Sequence, residues 1–396
     1  MNLNKRRTFT QLISIATFGK LADLLISAKT TLPWLLASLG APIWIISMLV
    51  PIRESGSLIP QWPLKQRVRH IENRLVIWRW GIVIQAGAVC FMLACALLTE
   101  ALVAGLLILF CLLLLSLGRS LSSLSMKDIQ GLNVEKGQRG KLVGIASTMS
   151  GLLSLITAGL LILSPQDMSI RAIQLLITFS AFILFMSLIL SIGLTANLVD
   201  SKKDSNDAQS LWKTINQQAD LRRLIISRCL LLHAALIAPF FVSASATNSD
   251  FFQLPYFIIA SALASFLSSY LWGKMADKSA IQTMFYATLI CVLASVIFYF
   301  TTSIDNWWVD VFLFFVLNLG YEGIRIGRKT YMLDIAQGSQ RTLYVAAANS
   351  MVGYVLLILG GLYALLYIVM GEHMLIVMTF FMAMGLAHTL KMKDEK

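Results

Sequence analysis

Apolar stretches long enough to cross a lipid bilayer follow one another along nearly the whole chain, and this succession limits the fold more than any other feature. A helix needs about 20 largely apolar residues to traverse the hydrocarbon core. Such stretches occur at about 9–30, 42–63, 75–98, 101–123, 142–163, 171–195, 223–245, 251–272, 281–302, 308–328, 343–368 and 373–390. Only 13% of the 396 residues are charged and 57% are hydrophobic, with a mean hydropathy of +0.75. A soluble chain needs roughly a quarter of its residues charged to keep its surface wet. The expected fold is therefore an all-α polytopic membrane protein of twelve transmembrane helices.

The net charge of +12 does not point to nucleic acid, because its placement follows the membrane. Lys and Arg cluster in alternate connections: Lys5–Arg7, Lys65/Arg67/Arg69/Arg74, Lys127/Lys136/Arg139/Lys141, Lys202/Lys203/Lys213/Arg222/Arg223, Lys274/Lys278, Arg328/Lys329/Arg341 and the tail from Lys391. The intervening connections carry Glu100, Asp167, Asp250, Asp305/Asp310 and Glu372, with Lys29 and Arg171 as exceptions. Cytoplasmic loops carry the excess of Lys and Arg, so both termini are expected in the cytoplasm and the number of spans is even. The nine Trp residues fall at or near the span ends or in the central loop, as interfacial belts would have them. The five Cys are scattered in apolar stretches without metal or redox spacing. The basic N-terminus followed by an apolar run resembles a signal peptide, but Lys20 and Asp23 interrupt it and no A-x-A site follows, so it is expected to be a retained first helix. No N-x-S/T sequon occurs, which favours a bacterial inner membrane.

The one long polar interruption, from Asn197 to Arg223, follows the sixth span. It divides the chain into a six-helix half (1–196), a cytoplasmic central loop with an amphipathic surface segment (197–222) and a second six-helix half (223–396). The halves share a repeat. Arg119-x6-Met126-x-Asp128-Ile129 recurs as Arg325-x6-Met332-x-Asp334-Ile335. Arg139-x3-Val143-x2-Ala146-x2-Met149-x-Gly151 recurs as Arg341-x3-Val345-x2-Ala348-x2-Met351-x-Gly353. Parallel repeats related by an axis along the membrane normal are a transporter architecture.

Between the eighth and ninth spans the chain reads Trp272-Gly273-Lys274-Met275-Ala276-Asp277-Lys278, which resembles the G-[KR]-x-A-D-[KR] signature of the major facilitator superfamily. Arg139-Gly140 resembles that family's loop 4–5. The first-half loop, LKQRVRHIENR, keeps the positive charge and lacks the Gly and Asp; Gly144, Gly151 and Gly159 of the fifth span lack the adjacent Pro of the family's drug antiporters. The resemblance implies a central cavity lined by spans one, four, seven and ten.

Ionisable residues inside a bilayer cost energy and need a partner, a wet cavity or a function. Lys20 and Asp23 lie in span one, Arg53 and Glu54 in span two, His233 in span seven, and Asn318, Glu322 and Arg325 line up in span ten. Ser47, Glu54 and Gln61 share one face of span two, whereas Arg53 points about 100° away from Glu54. Lys20/Asp23 and Glu322/Arg325 are spaced to act either as neutralising pairs or as a substrate and proton site. His233 fits a packed, hydrogen-bonded residue or a titrating one equally well. Arg119, Asp128, Gly273, Asp277, Asp334 and Arg341 lie towards the cytoplasmic span ends, where the resemblance makes them an inner gate and where topology-setting charge is the alternative.

These features imply alternating-access transport of a small polar or charged solute, coupled to protons through Asp23, Glu54 or Glu322. Burial disfavours the charged form of a carboxylate and allows it to exchange protons. Lys20, Arg53 and Arg325 would hold an anionic group, so a zwitterion or organic anion fits the mixture of signs. The expected partners are the lipid bilayer, the solute and protons, with the chain a monomer and no cofactor or metal. A receptor or assembly factor on the same fold is the alternative. An enzyme is not expected: the four His are dispersed and no H-x-x-x-H or G-x-S-x-G pattern appears.

Overall fold

A computed structural model describes residues 3–68, 71, 73–98, 101–134, 139–163, 169–194, 215–216, 218–248, 253–301, 306–335 and 340–392. Among the described residues the regular structure is all helical: α1 Leu3–Leu25, α2 Thr31–Ser38, α3 Ile43–Leu58, α4 Gln61–Val68, α5 Arg74–Leu98, α6 Ala101–Asn133, α7 Arg139–Ile162 and α8 Ser169–Ile192. The second half holds α9 Ala219–Leu231, α10 His233–Leu236, α11 Ala238–Asn248, α12 Leu254–Ala276, α13 Ala280–Thr301, α14 Trp307–Ile335, α15 Gln340–Met370 and α16 Met374–Thr389. Most of the predicted central loop, residues 197–214 and 217, lies outside the described residues. The last part of its amphipathic segment forms the start of α9, where Leu221 and Leu224 are buried and Arg223 pairs with Asp220 at 3.0 Å.

Eight stretches of the described helices are long and apolar enough to cross a membrane: α5, α6, α7, α8, the run 219–243, α12, α13 and most of α15. Helices α1, α3 and α14 carry ionisable residues in their interiors, and α16 is a shorter apolar helix of 16 residues.

The first predicted span ends early. The helix stops at Leu25, and a turn over 26–30 leads into α2. Pro33 has no N–H to give the Lys29 carbonyl, and its ring clashes with that carbonyl in a continuous helix. The Ser27 hydroxyl accepts the Lys29 N–H at 3.1 Å, and the Ser27 carbonyl accepts the Leu32 N–H at 3.0 Å. Span seven breaks in the same way into α9, α10 and α11, with Pro239 at the start of α11. The offset between the repeated Arg119 and Arg325 carries Pro33 onto Pro239, so the break belongs to the repeat.

Packing repeats as well. In the first half α1 packs on α7 and α8, α3 on α6, and α5 on α6 and α8. In the second half α9 packs on α15 and α16, α12 on α14, and α13 on α14 and α16. The halves meet through two equivalent contacts, α3 with α15 and α7 with α12. In the first of these, a Cβ at Gly360 would overlap the Pro51 ring, and one at Gly353 would come within 2.8 Å of Ile59. Close backbone approach through small residues is how apolar helices associate where lipid removes the hydrophobic drive.

The two ends of the bundle differ. At the end away from the Lys and Arg clusters, α2 packs on α11 and α12, and α11 also packs on α3. Trp34 lies against Phe257 there at 6.2 Å between ring centroids, Phe257 against Phe314 at 5.1 Å, and Phe241 stacks on Phe298 at 3.6 Å. Trp34 is 1% exposed, and Trp78 and Trp272 are also buried, so these three are packing residues and not members of an interfacial belt. The Trp272 indole N–H donates to the Leu319 carbonyl at 2.9 Å. Trp80 and Trp308 are exposed, as belt residues would be.

Candidate functional site

Intramembrane charges from α1, α3 and α6 face those of α14. Asp23 on α1 is the shared acceptor: Arg53 of α3 and Arg119 of α6 both pair with its Oδ1. This arrangement replaces the Lys20–Asp23 pair that the i,i+3 spacing allows. Arg53 is 8% exposed at its side chain, whereas Arg119 is 39% exposed although it lies near the middle of its helix. Helix α6 runs on to Asn133, about 21 Å beyond Arg119 at 1.5 Å per residue. Arg119 thus lies at mid-helix and not at the span end where the sequence places it.

Glu54, one residue from Arg53, makes no ion pair or hydrogen bond through its side chain among the described residues and is half-buried. Arg325 and Arg328 of α14 lie within electrostatic range of it, across the boundary between the halves. The difference in direction expected from adjacent positions on a helix is what separates Arg53, committed to Asp23, from Glu54. Lys20 of α1 also faces Arg325 at electrostatic range. Arg325 pairs with Glu322 at 3.1 Å, and its side chain is 43% exposed. Asn318 turns its amide onto its own helix, donating to the Phe314 carbonyl at 2.9 Å.

Arg328 and Lys329, read from the sequence as loop charges, are part of this layer because α14 continues to Ile335. The signal for Lys329 was present: it follows Asn318, Glu322 and Arg325 at helical spacing. Lys29, an exception to the charge pattern, sits in the turn between α1 and α2. Its Nζ lies 3.3 Å from the centroid of the Tyr321 ring, a cation–π contact that reaches from the break in span one to α14.

His233 lies away from this layer. Its Nδ1 donates to the Leu230 carbonyl at 2.7 Å, its Nε2 accepts from the Tyr363 hydroxyl at 2.5 Å, and its ring stacks on Phe381 of α16. A carbonyl only accepts, so the neutral imidazole satisfies both bonds. His233 is a packed, hydrogen-bonded residue at the α9–α10 break.

Among the expected gate residues, Asp128 pairs with Arg74 at 3.1 Å, tying α6 to α5 inside one half. Asp277 is exposed in the turn after α12, its N–H donating to the Gly273 carbonyl at 3.1 Å. A Cβ at Gly273 would meet nothing within 4 Å, so packing does not require glycine there. The side chains of Asp334 and Arg341 lie outside the described residues. A polar chain crosses between the halves instead: Arg228 of α9 donates to Asn349 Oδ1 at 3.0 Å, and Asn349 Nδ2 donates to Gln61 Oε1 of α4 at 3.2 Å. Sequence reading assigned neither Arg228 nor Asn349, because each is a single polar residue without a motif.

The family model of the Major Facilitator Superfamily matches residues 68–361. The chain belongs to the major facilitator superfamily. The match leaves out α1 and α3, which hold Lys20, Asp23, Arg53 and Glu54. No curated protein matches the sequence. Similar solved structures span the whole chain. A mutant of the nucleoside transporter NupG superposes with a TM-score of 0.73 at 9% identity, covering 98% of this chain and 100% of its own. A D-xylose–proton symporter gives 0.71 at 11% identity, covering 100% and 98%. A POT family transporter in complex with 5-aminolevulinic acid gives 0.71 at 13% identity, covering 97% and 95%. This superfamily member is therefore an integral membrane transporter and not an enzyme. At such identities the likeness carries the fold alone.

Proposed function

We propose that this superfamily member is a proton-coupled secondary transporter of a small organic anion or zwitterion. In this reading twelve spans form the halves 1–196 and 223–396, joined by the loop 197–222. The observation that carries the proposal is the division of labour among the carboxylates. Asp23 is neutralised twice and Glu322 once, which leaves Glu54 as the acid facing the opposite half without an ion pair. Cations outnumber carboxylates in the layer, since Lys20, Arg53, Arg119, Arg325, Arg328 and Lys329 surround Asp23, Glu54 and Glu322. An anion entering between the halves would meet a favourable field, and an arginine fork suits a carboxylate or phosphate.

If the end rich in Lys and Arg faces the cytoplasm of a bacterial inner membrane, the aromatic cluster of Trp34, Phe257 and Phe314 closes the outer side. Arg119 and Arg325, both substantially exposed at mid-helix, would then be wetted from the inside, an inward-facing state. Protonation of Glu54 would remove its attraction for Arg328, which no carboxylate pairs among the described residues, and free it for the solute. A panel of radiolabelled organic anions, offered to proteoliposomes with an imposed pH gradient, tests the proposal. At least one should accumulate, and the ionophore that dissipates the gradient should abolish it. A solute taken up at a rate indifferent to the gradient would refute the coupling.

A further inference from the structure

Arg228 is a buried guanidinium with no counter-charge beside it among the described residues. It is 7% exposed, its one side-chain hydrogen bond runs to the neutral Asn349, and its Nε has no hydrogen-bond partner. The ionisable groups within electrostatic range of it are Arg328, Cys229 and Tyr321, none of them a carboxylate. Glu54 and Glu322 act on Arg328, but Glu322 is committed to Arg325. Lys29 lies over the ring of that same Tyr321, its Nζ 3.3 Å from the centroid. Three cations from three separate elements thus converge about one tyrosine, and no ion pair holds any of them among the described residues.

An arginine does not deprotonate in a protein, so burial without a partner costs free energy that the fold itself does not recover. We propose that Arg228, with Arg328 and Lys29 beside Tyr321, is the site that takes the oxyanion group, carboxylate or phosphate, of the transported solute. This rests on the anion reading above and moves the anchoring charge from Lys20, Arg53 and Arg325 to residues on α9, α14 and the α1–α2 turn. Arg53 is already engaged by Asp23, and Arg325 by Glu322, so neither is as available. The fork of Arg228 matches two oxyanion oxygens in one plane. Because Asn349 also bonds Gln61 of the other half, an anion that draws Arg228 away from Asn349 would act on a contact between the halves.

Thermal unfolding of the purified full-length protein, titrated with inorganic phosphate or acetate against chloride at constant ionic strength, tests the site. Wild type should gain a saturable rise in midpoint with at least one of the two oxyanions. Arg228→Gln should weaken that response by at least about tenfold, the loss expected of a charge-assisted hydrogen bond, and should be no less stable than wild type without the anion. Asn349→Ala, which removes the neutral partner and leaves the guanidinium, should keep the response. A response of Arg228→Gln equal to that of wild type would overturn the assignment to Arg228 while leaving an anion transporter in place. A lower anion-free midpoint in that variant would make Arg228 a structural residue. A wild type that responds to neither oxyanion beyond chloride would overturn both the site and the anion reading.

Discussion

Asp23 shows what a single residue can hold together. Its carboxylate gathers guanidinium groups from two other helices, one of them almost fully buried. Removing it leaves Arg53 enclosed without a counter-ion, and breaking a buried pair from one side costs about 3–5 kcal/mol. Asp23→Asn should fall near the bottom of that range, since Asp23 and Arg119 reach water, and the unfolding midpoint in detergent measures it. Adding Arg53→Gln should recover part of the loss, a positive coupling in the double-mutant cycle. The sequence made these charges visible because ionisable residues stand out in apolar helices. It did not reveal the pairing. Partners that lie 30 and 96 positions away in sequence come together only through packing, while the i,i+3 neighbour Lys20 was the sole candidate within reach of a helical repeat. The sequence left His233 open between packing and titration for a related reason: the groups that satisfy it, Tyr363 and Phe381, belong to distant apolar helices.

At the scale of the element, hydropathy located the helices well and their ends poorly. The described residues of the predicted spans are mostly helical, but α6 and α14 run on past the apolar stretch into polar sequence. That extension brings Arg119 to mid-helix and Arg328 into the charged layer. The breaks were legible in principle, because Pro33 and Pro239 stand at equivalent places in the repeat, and proline forbids the bond that would bridge them. The contact of α3 with α15 depends instead on a glycine facing a proline, which no local pattern discloses. Gly360→Ala should force these helices apart and cost about 1–3 kcal/mol of stability through overpacking. Gly144→Ala, where nothing lies within 4 Å, should cost none. Paired thermal-stability measurements on the two variants check the difference.

For the whole molecule, the repeat in the sequence and the doubled packing agree. The repeat read from a few spaced residues reappears as equivalent helix contacts in both halves. The proposed orientation is checked with single cysteines at exposed positions of opposite ends. Ser38→Cys should react with an impermeant thiol reagent on intact cells, and Lys278→Cys only after the membrane is opened. The reverse labelling would invert the bundle. The central claim is that protons drive a solute through the layer around Glu54, and Glu54→Gln reaches it most directly because the amide keeps the size and cannot carry a proton. Proteoliposomes bearing this variant, given the anion that wild type accumulates, should show solute exchange near the wild-type rate and no accumulation in a pH gradient. Gradient-driven accumulation equal to that of wild type would contradict the claim.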